Sequence, residues 1–275
     1  QLIMISNDGD YASCISHYAR LSEGKLTLSD SEFGDDAQTE ESILAIPEFL
    51  QVVDTEQEEI IRLQQVSVQY GEKQVLHEID WTVNKGDKWL LKGANGSGKS
   101  TLLSLLTGDN PQAYANEIYL FGRRRGTGES IWDIKKQIGF ISPELQWYFE
   151  ASSTVFQAIA SGFFDTAGLF RTVSAVQAAK VRELLQLINL ADQEHSLLTQ
   201  ISIGQQRLVL LARAIIKNPP LLILDEPCQG LDQQQTRLFN QLVDTLCAAT
   251  RTLIYVGHFE NRLPECIEHQ LSLNH

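Results

Sequence analysis

Four cysteines and one methionine in 275 residues already exclude several kinds of protein. Cys14, Cys228, Cys247 and Cys266 show no C-x-x-C spacing, so neither a zinc cluster nor a disulfide framework is expected, and a reducing cytoplasm suits them. No uncharged apolar run approaches the roughly 18 residues of a membrane span, and the mean hydropathy is −0.15. The stretch Gln1-Leu2-Ile3-Met4-Ile5-Ser6-Asn7-Asp8 lacks the basic start of a signal peptide. A cytoplasmic protein is expected, at most peripheral on the inner face of the membrane.

Basic residues are also missing from one segment, and that absence explains the net charge of −13. Residues 29–59 hold eleven acids and no Lys or Arg, whereas the rest of the chain carries 24 acids against 22 bases. The acidity therefore belongs to a linker, whose like charges repel and whose apolar surface is too small to offset the entropy of ordering. Ile43, Leu44, Ile46, Phe49, Leu50, Val52 and Val53 interrupt it, so a short helix or strand is expected to pack there. Arg123-Arg124-Arg125 has no aromatic interleaving and reads as a solvated loop; no direct nucleic-acid contact is predicted.

What is present is 43% hydrophobic residue, enough for a large buried core. After Glu59 the chain alternates through Tyr70, turns at Gly71-Glu72-Lys73 and runs extended again from Gln74 to Val83, a hairpin pattern. Lys88 to Lys92 and Ile138 to Ser142 read as strands. Leu221 to Leu224 and Thr252 to Val256 are continuous apolar runs, typical of strands buried on both faces. Helical patterns cover about Thr154 to Asn189, Gly204 to Lys217 and Leu231 to Ala249. The alternation predicts an α/β fold with a largely parallel sheet.

The first 28 residues resemble the last 23. Leu2-Ile3-Met4-Ile5-Ser6-Asn7 matches Leu253-Ile254-Tyr255-Val256-Gly257-His258, and after a one-residue gap Cys14-Ile15-Ser16-His17 matches Cys266-Ile267-Glu268-His269. Leu21 falls on Leu273 in the same frame. An offset of about 252 residues is the size of one complete domain, so residues 1–28 are expected to be the tail of a preceding copy of the domain that occupies residues 60–275.

Gly93-Ala94-Asn95-Gly96-Ser97-Gly98-Lys99-Ser100-Thr101 fits G-x-x-x-x-G-K-[ST] between a strand and a helix. Glycines let successive N–H groups point inward at phosphate oxygens, and the helix N-terminus adds a favourable field. Lys99 would neutralise the β and γ phosphates, and Ser100 would bind Mg²⁺. Asp225 closes the apolar run of 221–224 and is placed to hold the same metal through water. Glu226 beside it is the candidate general base, able to orient a water in line with the γ-phosphate. Asn84-Lys85-Gly86-Asp87 matches the N-K-x-D of guanine binding, but it precedes the phosphate loop by one short strand and reads better as a hairpin turn.

Ile201-Ser202-Ile203-Gly204-Gln205-Gln206-Arg207 precedes Asp225-Glu226-Pro227, and Gly230-Leu231-Asp232 and His258 follow it. Phosphate loop, signature, acidic pair, D-loop and switch histidine in this order resemble the ATP-binding cassette (ABC) ATPases over residues 60 to 275. Taken singly, Ser202 is an ordinary helix N-cap, Tyr70 an edge aromatic and His258 surface filler; their joint order is the signal. The resemblance implies a P-loop NTPase fold of ABC type, with an antiparallel β subdomain and an inserted helical subdomain at about 145–203. It implies that Tyr70 stacks on adenine, that His258 contacts the γ-phosphate, and that Asp232 lies in the D-loop. Ser202, Gly204 and Gln205 would act in trans on nucleotide held by an opposite cassette. ATP and Mg²⁺ are the implied ligands. The implied partner is a second ABC domain, upstream in a longer chain or a second copy of this one, with a membrane permease as a further candidate.

Two departures stand out. Ile203 replaces the first signature glycine, where close approach of backbone to phosphate is expected. The glutamine that family members carry after the I-G-(Y/F)-(V/I) strand is missing from Ile138-Gly139-Phe140-Ile141-Ser142-Pro143-Glu144-Leu145-Gln146, with Glu144 and Gln146 as alternative substitutes. The signature, the Leu224 to Asp232 segment and Ser161-Gly162-Phe163-Phe164-Asp165-Thr166 together are similar to a tandem-cassette subgroup named for molybdenum transport and photorepair. No residue reads as a molybdate site.

Overall fold

The uninterrupted apolar runs form the centre of the molecule. In a computed structural model that describes residues 15–22, 25–30, 46–51, 53, 55–248, 250–257 and 263–273, the chain opens with β1 (Tyr18–Ser22), β2 (Lys25–Ser29) and the single helical turn α1 (Glu48–Gln51). Strands β3 (Glu59–Tyr70), β4 (Lys73–Asn84) and β5 (Lys88–Gly93) lead into helix α2 (Lys99–Leu106). Next come β6 (Glu117–Leu120), β7 (Arg123–Arg124), α3 (Ile131–Lys135) and β8 (Ile138–Ile141). Helices α4 (Val155–Ala160), α5 (Ala175–Leu187) and α6 (Ile203–Ile215) follow, then β9 (Leu221–Asp225), α7 (Gln233–Cys247), β10 (Thr252–Val256) and β11 (His269–Leu273).

β11, β5, β10, β9 and β8 form a wholly parallel sheet in that order, and β4, β3, β6 and β7 form a separate antiparallel one. Alternation along β9 divides the interior in two. Leu222 and Leu224 face a core shared with α4, α5, α6 and α7, whereas Leu221 and Ile223 face one shared with α2 and the antiparallel sheet. The central sheet is therefore covered on both faces, as parallel strands require.

The helical run predicted over 154–189 is broken. Between α4 and α5 lie a 3₁₀ turn, Ser161–Phe164, and a left-handed residue, Asp165. The cause is tertiary: a Cβ on Gly162 would stand 2.2 Å from the Arg213 carbonyl, so α6 packs directly on this backbone. Around it Arg213 Nε donates to Ser161 Oγ at 3.2 Å and Nη2 to the Thr166 carbonyl at 3.1 Å, while Lys217 pairs with Asp165. The 161–166 motif is thus the latch that fastens the helical layer to α6.

Two further expectations change. The triple arginine is not a solvated loop: Arg123 and Arg124 form β7, and Arg125 is buried in an ion pair with Glu129 at 2.7 Å. The apolar end of the acidic segment does pack, as α1. Leu50 is buried, and its carbonyl accepts from Arg251, a fully buried cation held by carbonyls of Pro219 and Leu246 as well.

Candidate functional site

The parallel register builds the site. Val256 on β10 pairs with Leu91 of β5 on one side and with Asp225 of β9 on the other. Two strand spacings, about 9.5 Å, separate β5 from β9, and the loop that begins at Gly93 rises two residues beyond Leu91. Ile141 pairs with Leu224, which sets Ser142 level with Asp225 on the adjacent strand. The glycine-rich loop, the acidic pair and the altered segment after β8 thus share one end of the sheet, beyond its C-terminal edge, where ligands of open α/β sheets bind.

Gly98 is the N-cap of α2 with φ +96, a conformation suited to glycine, and no side chain caps this helix. Its first N–H groups are consequently available to an anion. Lys99 is 7% exposed and its Nζ donates to the Gly93 and Ala94 carbonyls at 2.7 and 3.1 Å. Among the described residues its hydrogen-bond partners are these neutral carbonyls, and a buried ammonium so held favours an incoming negative charge. Ser97 Oγ is buried without a hydrogen-bond partner, a polar atom awaiting a donor or acceptor. Ser100 and Thr101 lie in the first turn of the same helix, and Ala94, Asn95 and Gly96 form the loop before it.

Glu226 has φ +46, left-handed for a residue with a side chain, and its N–H donates to the Val256 carbonyl at 3.1 Å. Such backbones cost about 1–2 kcal/mol and cluster at functional positions. A serine hydroxyl and one carboxylate are hard oxygen donors of the kind Mg²⁺ takes when phosphates complete its shell. Among the described residues there is no group of three or more His, Cys, Asp or Glu that could hold a metal ion.

Tyr70 is 52% exposed, and Asn110 donates to its hydroxyl at 2.9 Å.

The signature residues gather elsewhere. Ser202 caps α6, accepting from the Gln205 N–H at 3.2 Å, while Gln205 Oε1 accepts from the Ser202 N–H at 2.9 Å. Asp232 and Gln235 repeat the arrangement at the start of α7. The two boxes touch: a Cβ on Gly204 would meet Gln235 Cδ at 2.9 Å, and Ile203 reaches to 4.0 Å from the corresponding point on Gly230. Arg207, buried and missed by sequence reasoning, joins them by donating to the Gln229 carbonyl at 3.4 Å, with its Nε and Nη1 unpartnered. Burial pulls its pKa down, opposed by Cys228. The Cys228 thiol is itself pushed up to about 11 by burial, so it is no activated thiolate.

Three expectations have no geometry here. His258 lies outside the described residues, as do Leu2 to Asn7 of the repeat. Of the two candidates for the missing glutamine, Glu144 is exposed in the turn after β8, while the side chain of Gln146 is outside the described set.

Comparison with known proteins shows the family and the fold. The family described as ABC transporter matches residues 76–229. The ABC transporter ATP-binding protein ModF of Escherichia coli K12 is 47% identical over 74% of this chain and 42% of its own length. An uncharacterized ABC transporter ATP-binding protein of Schizosaccharomyces pombe is 34% identical over 78% of this chain and 44% of its own, so the chain spans less than half the length of either relative. The zinc uptake system ATP-binding protein ZurA of Listeria innocua is 33% identical, over 78% of this chain and 82% of its own. A nucleotide-free ATP-binding cassette from an ABC transporter superposes with a TM-score of 0.67 at 24% identity, covering 78% of this chain and 87% of that one. A dimeric cassette bound to ADP and phosphate superposes with a TM-score of 0.65 at 22% identity, covering 78% and 94%. At those identities the likeness speaks to the fold.

Proposed function

This chain belongs to the ABC transporter family of ATP-binding cassettes, and on that premise we propose that it binds and hydrolyses ATP as one half of a tandem cassette pair that energises transport. The single observation supporting the site assignment is that the glycine-rich loop, Asp225 and Ser142 all lie at the C-terminal end of the parallel sheet.

In this reading Tyr70 stacks on adenine, steadied by Asn110, and the N–H groups from Gly93 to Thr101 enclose the phosphates. Lys99 leaves its loop carbonyls for the β and γ phosphates. Ser100 and Asp225 hold Mg²⁺, which when bound supplies positive charge across the phosphate oxygens. Glu226 orients and polarises the attacking water, with its backbone fixed by Val256, and His258 contacts the γ-phosphate. Ser202, Gly204 and Gln205 meet nucleotide on the opposite cassette, and Asp232 accompanies them in the D-loop. Residues 1–28 are the tail of the preceding cassette and 29–59 the linker between the two.

The link to molybdate is the resemblance of the signature, acidic-pair and 161–166 segments to a subgroup carrying that name, and that name does not by itself establish the cargo. A second reading, a soluble tandem ATPase with a regulatory or repair role, draws on Ser142, which stands beside Asp225 where the family's coupling glutamine is absent. Purifying the full-length protein from membranes and finding a permease with it decides for transport; a protein that stays free of membrane partners decides for the second reading. The site itself is tested by Glu226→Gln. Steady-state turnover should fall by roughly 100-fold or more with ATP binding retained; turnover at the parental rate would remove Glu226 as the base.

A further inference from the structure

β1 and β2 form an antiparallel hairpin set apart from the other two sheets. Its register pairs Ala19 with Leu28 and Leu21 with Leu26, so these four positions share one face. The opposite face carries Tyr18, Lys25, Thr27 and Ser29. The hairpin is thus amphipathic, yet Leu26 is 65% and Leu28 74% exposed. Two strands alone are marginally stable in water, and an uncovered leucine face makes them less so.

The internal repeat says what covers it. In the frame that matches Cys14-Ile15-Ser16-His17 to Cys266-Ile267-Glu268-His269, Ala19 and Leu21 stand at the positions of Leu271 and Leu273. Leu271 and Leu273 are the two residues of β11 packed into the core on the phosphate-loop side. β11 pairs in parallel with β5, Leu271 opposite Leu91 and Leu273 opposite Gly93. Its backbone also buttresses the phosphate loop, because the Leu273 carbonyl lies 2.8 Å from where a Cβ on Gly93 would stand. The face of β1 that aligns with this buried face is the one that carries Leu26 and Leu28. A second copy of this chain offers no such seat, since its β5 already has β11 on one side and β10 on the other.

We propose that β1 is the edge strand of the preceding cassette, lying parallel to that cassette's phosphate-loop strand with Leu26 and Leu28 covering its core, so that residues 18–29 of this chain complete the upstream ATP site. This rests on the tandem reading. It goes beyond it in assigning a strand, a direction of pairing and a nucleotide site to the hairpin.

Hydrogen exchange and binding of a fluorescent ATP analogue with Mg²⁺ test it, in the full-length two-cassette protein. Lys99→Ala first silences the site in this cassette, and one analogue should remain bound per chain. In that background Leu26→Asp/Leu28→Asp should weaken the remaining binding at least tenfold, whereas Leu26→Met/Leu28→Met should preserve it. Amides of residues 18–22 should exchange at least tenfold more slowly in the two-cassette protein than in residues 1–275 alone, and the aspartate pair should erase that protection. In residues 1–275 the aspartate pair should leave ATP affinity and melting temperature unchanged. Retained upstream binding in the aspartate variant, unprotected 18–22 amides, or a lower melting temperature of residues 1–275 each overturns the hairpin assignment while leaving the tandem reading intact. Absence of any second nucleotide in Lys99→Ala, with 18–22 unprotected, overturns both.

Discussion

Helices α2 and α6 begin with residues expected at phosphate, yet their N-termini are built in opposite ways. At α2 the cap is a left-handed glycine without a side chain to offer, and the N–H groups are left for a ligand. At α6 a serine and a glutamine close a reciprocal capping box, so the chain satisfies its own donors. The first terminus keeps its N–H groups free of any side-chain cap. The second is a closed reciprocal cap in which the two side-chain oxygens accept, so the Ser202 O–H and the Gln205 NH2 hydrogens are not used by the box. Both helices start with residues expected at phosphate, but one start leaves its backbone donors uncapped and the other closes them. Only the pairing of their side chains tells the two apart.

Substitutions can break or sharpen that contrast. Lys99→Ala should have the largest effect: ATP affinity of this chain, measured by titration calorimetry, should drop about 100-fold, or about 3 kcal/mol, the scale of charge-assisted hydrogen bonds. Ser202→Ala should instead read out in stability, at about 1 kcal/mol and a melting temperature roughly 2–4 °C lower, with single-chain ATP affinity unchanged. An affinity loss in Ser202→Ala at low protein concentration would erase the distinction between the two termini.

The smallest effect concerns the far end of α6. Burial pulls the Lys217 pKa down to about 8, against the opposing pull of Asp165. Between pH 8 and about 10.4, the ordinary lysine value, the unfolded chain keeps a proton that the folded one has released. Stability from this group therefore rises with pH across that window. Lys217→Met should flatten the rise in denaturant midpoints measured from pH 8 to 10.

Much of this was legible before any coordinates. The runs 221–224 and 252–256 declared buried parallel strands because both faces of each are apolar. The G-x-x-x-x-G-K-[ST] spacing declared its strand–loop–helix setting because the loop conformation needs glycine at Gly98. Other features were hidden. The break after Ala160 comes from α6 pressing on Gly162, a contact 51 residues away in the chain. Arg125 looked solvated because its partner, Glu129, acts only once the turn at Gly126 brings it back. Arg207 gave no signal at all, since a basic residue on an amphipathic helix reads as exposed until the turn carrying the Gln229 carbonyl covers it.

Composition and spacing by themselves determined the α/β class, the strand, glycine-rich loop and helix of 88–106, and the acids that close the 221–224 strand, because each depends on residues close together in the chain. Which helix end stays open to a ligand, which arginine is buried and which leucines are left without cover were decided by the tertiary structure. Those outcomes depend on contacts between segments tens to hundreds of residues apart, and such contacts exist only after the sheet has set their register.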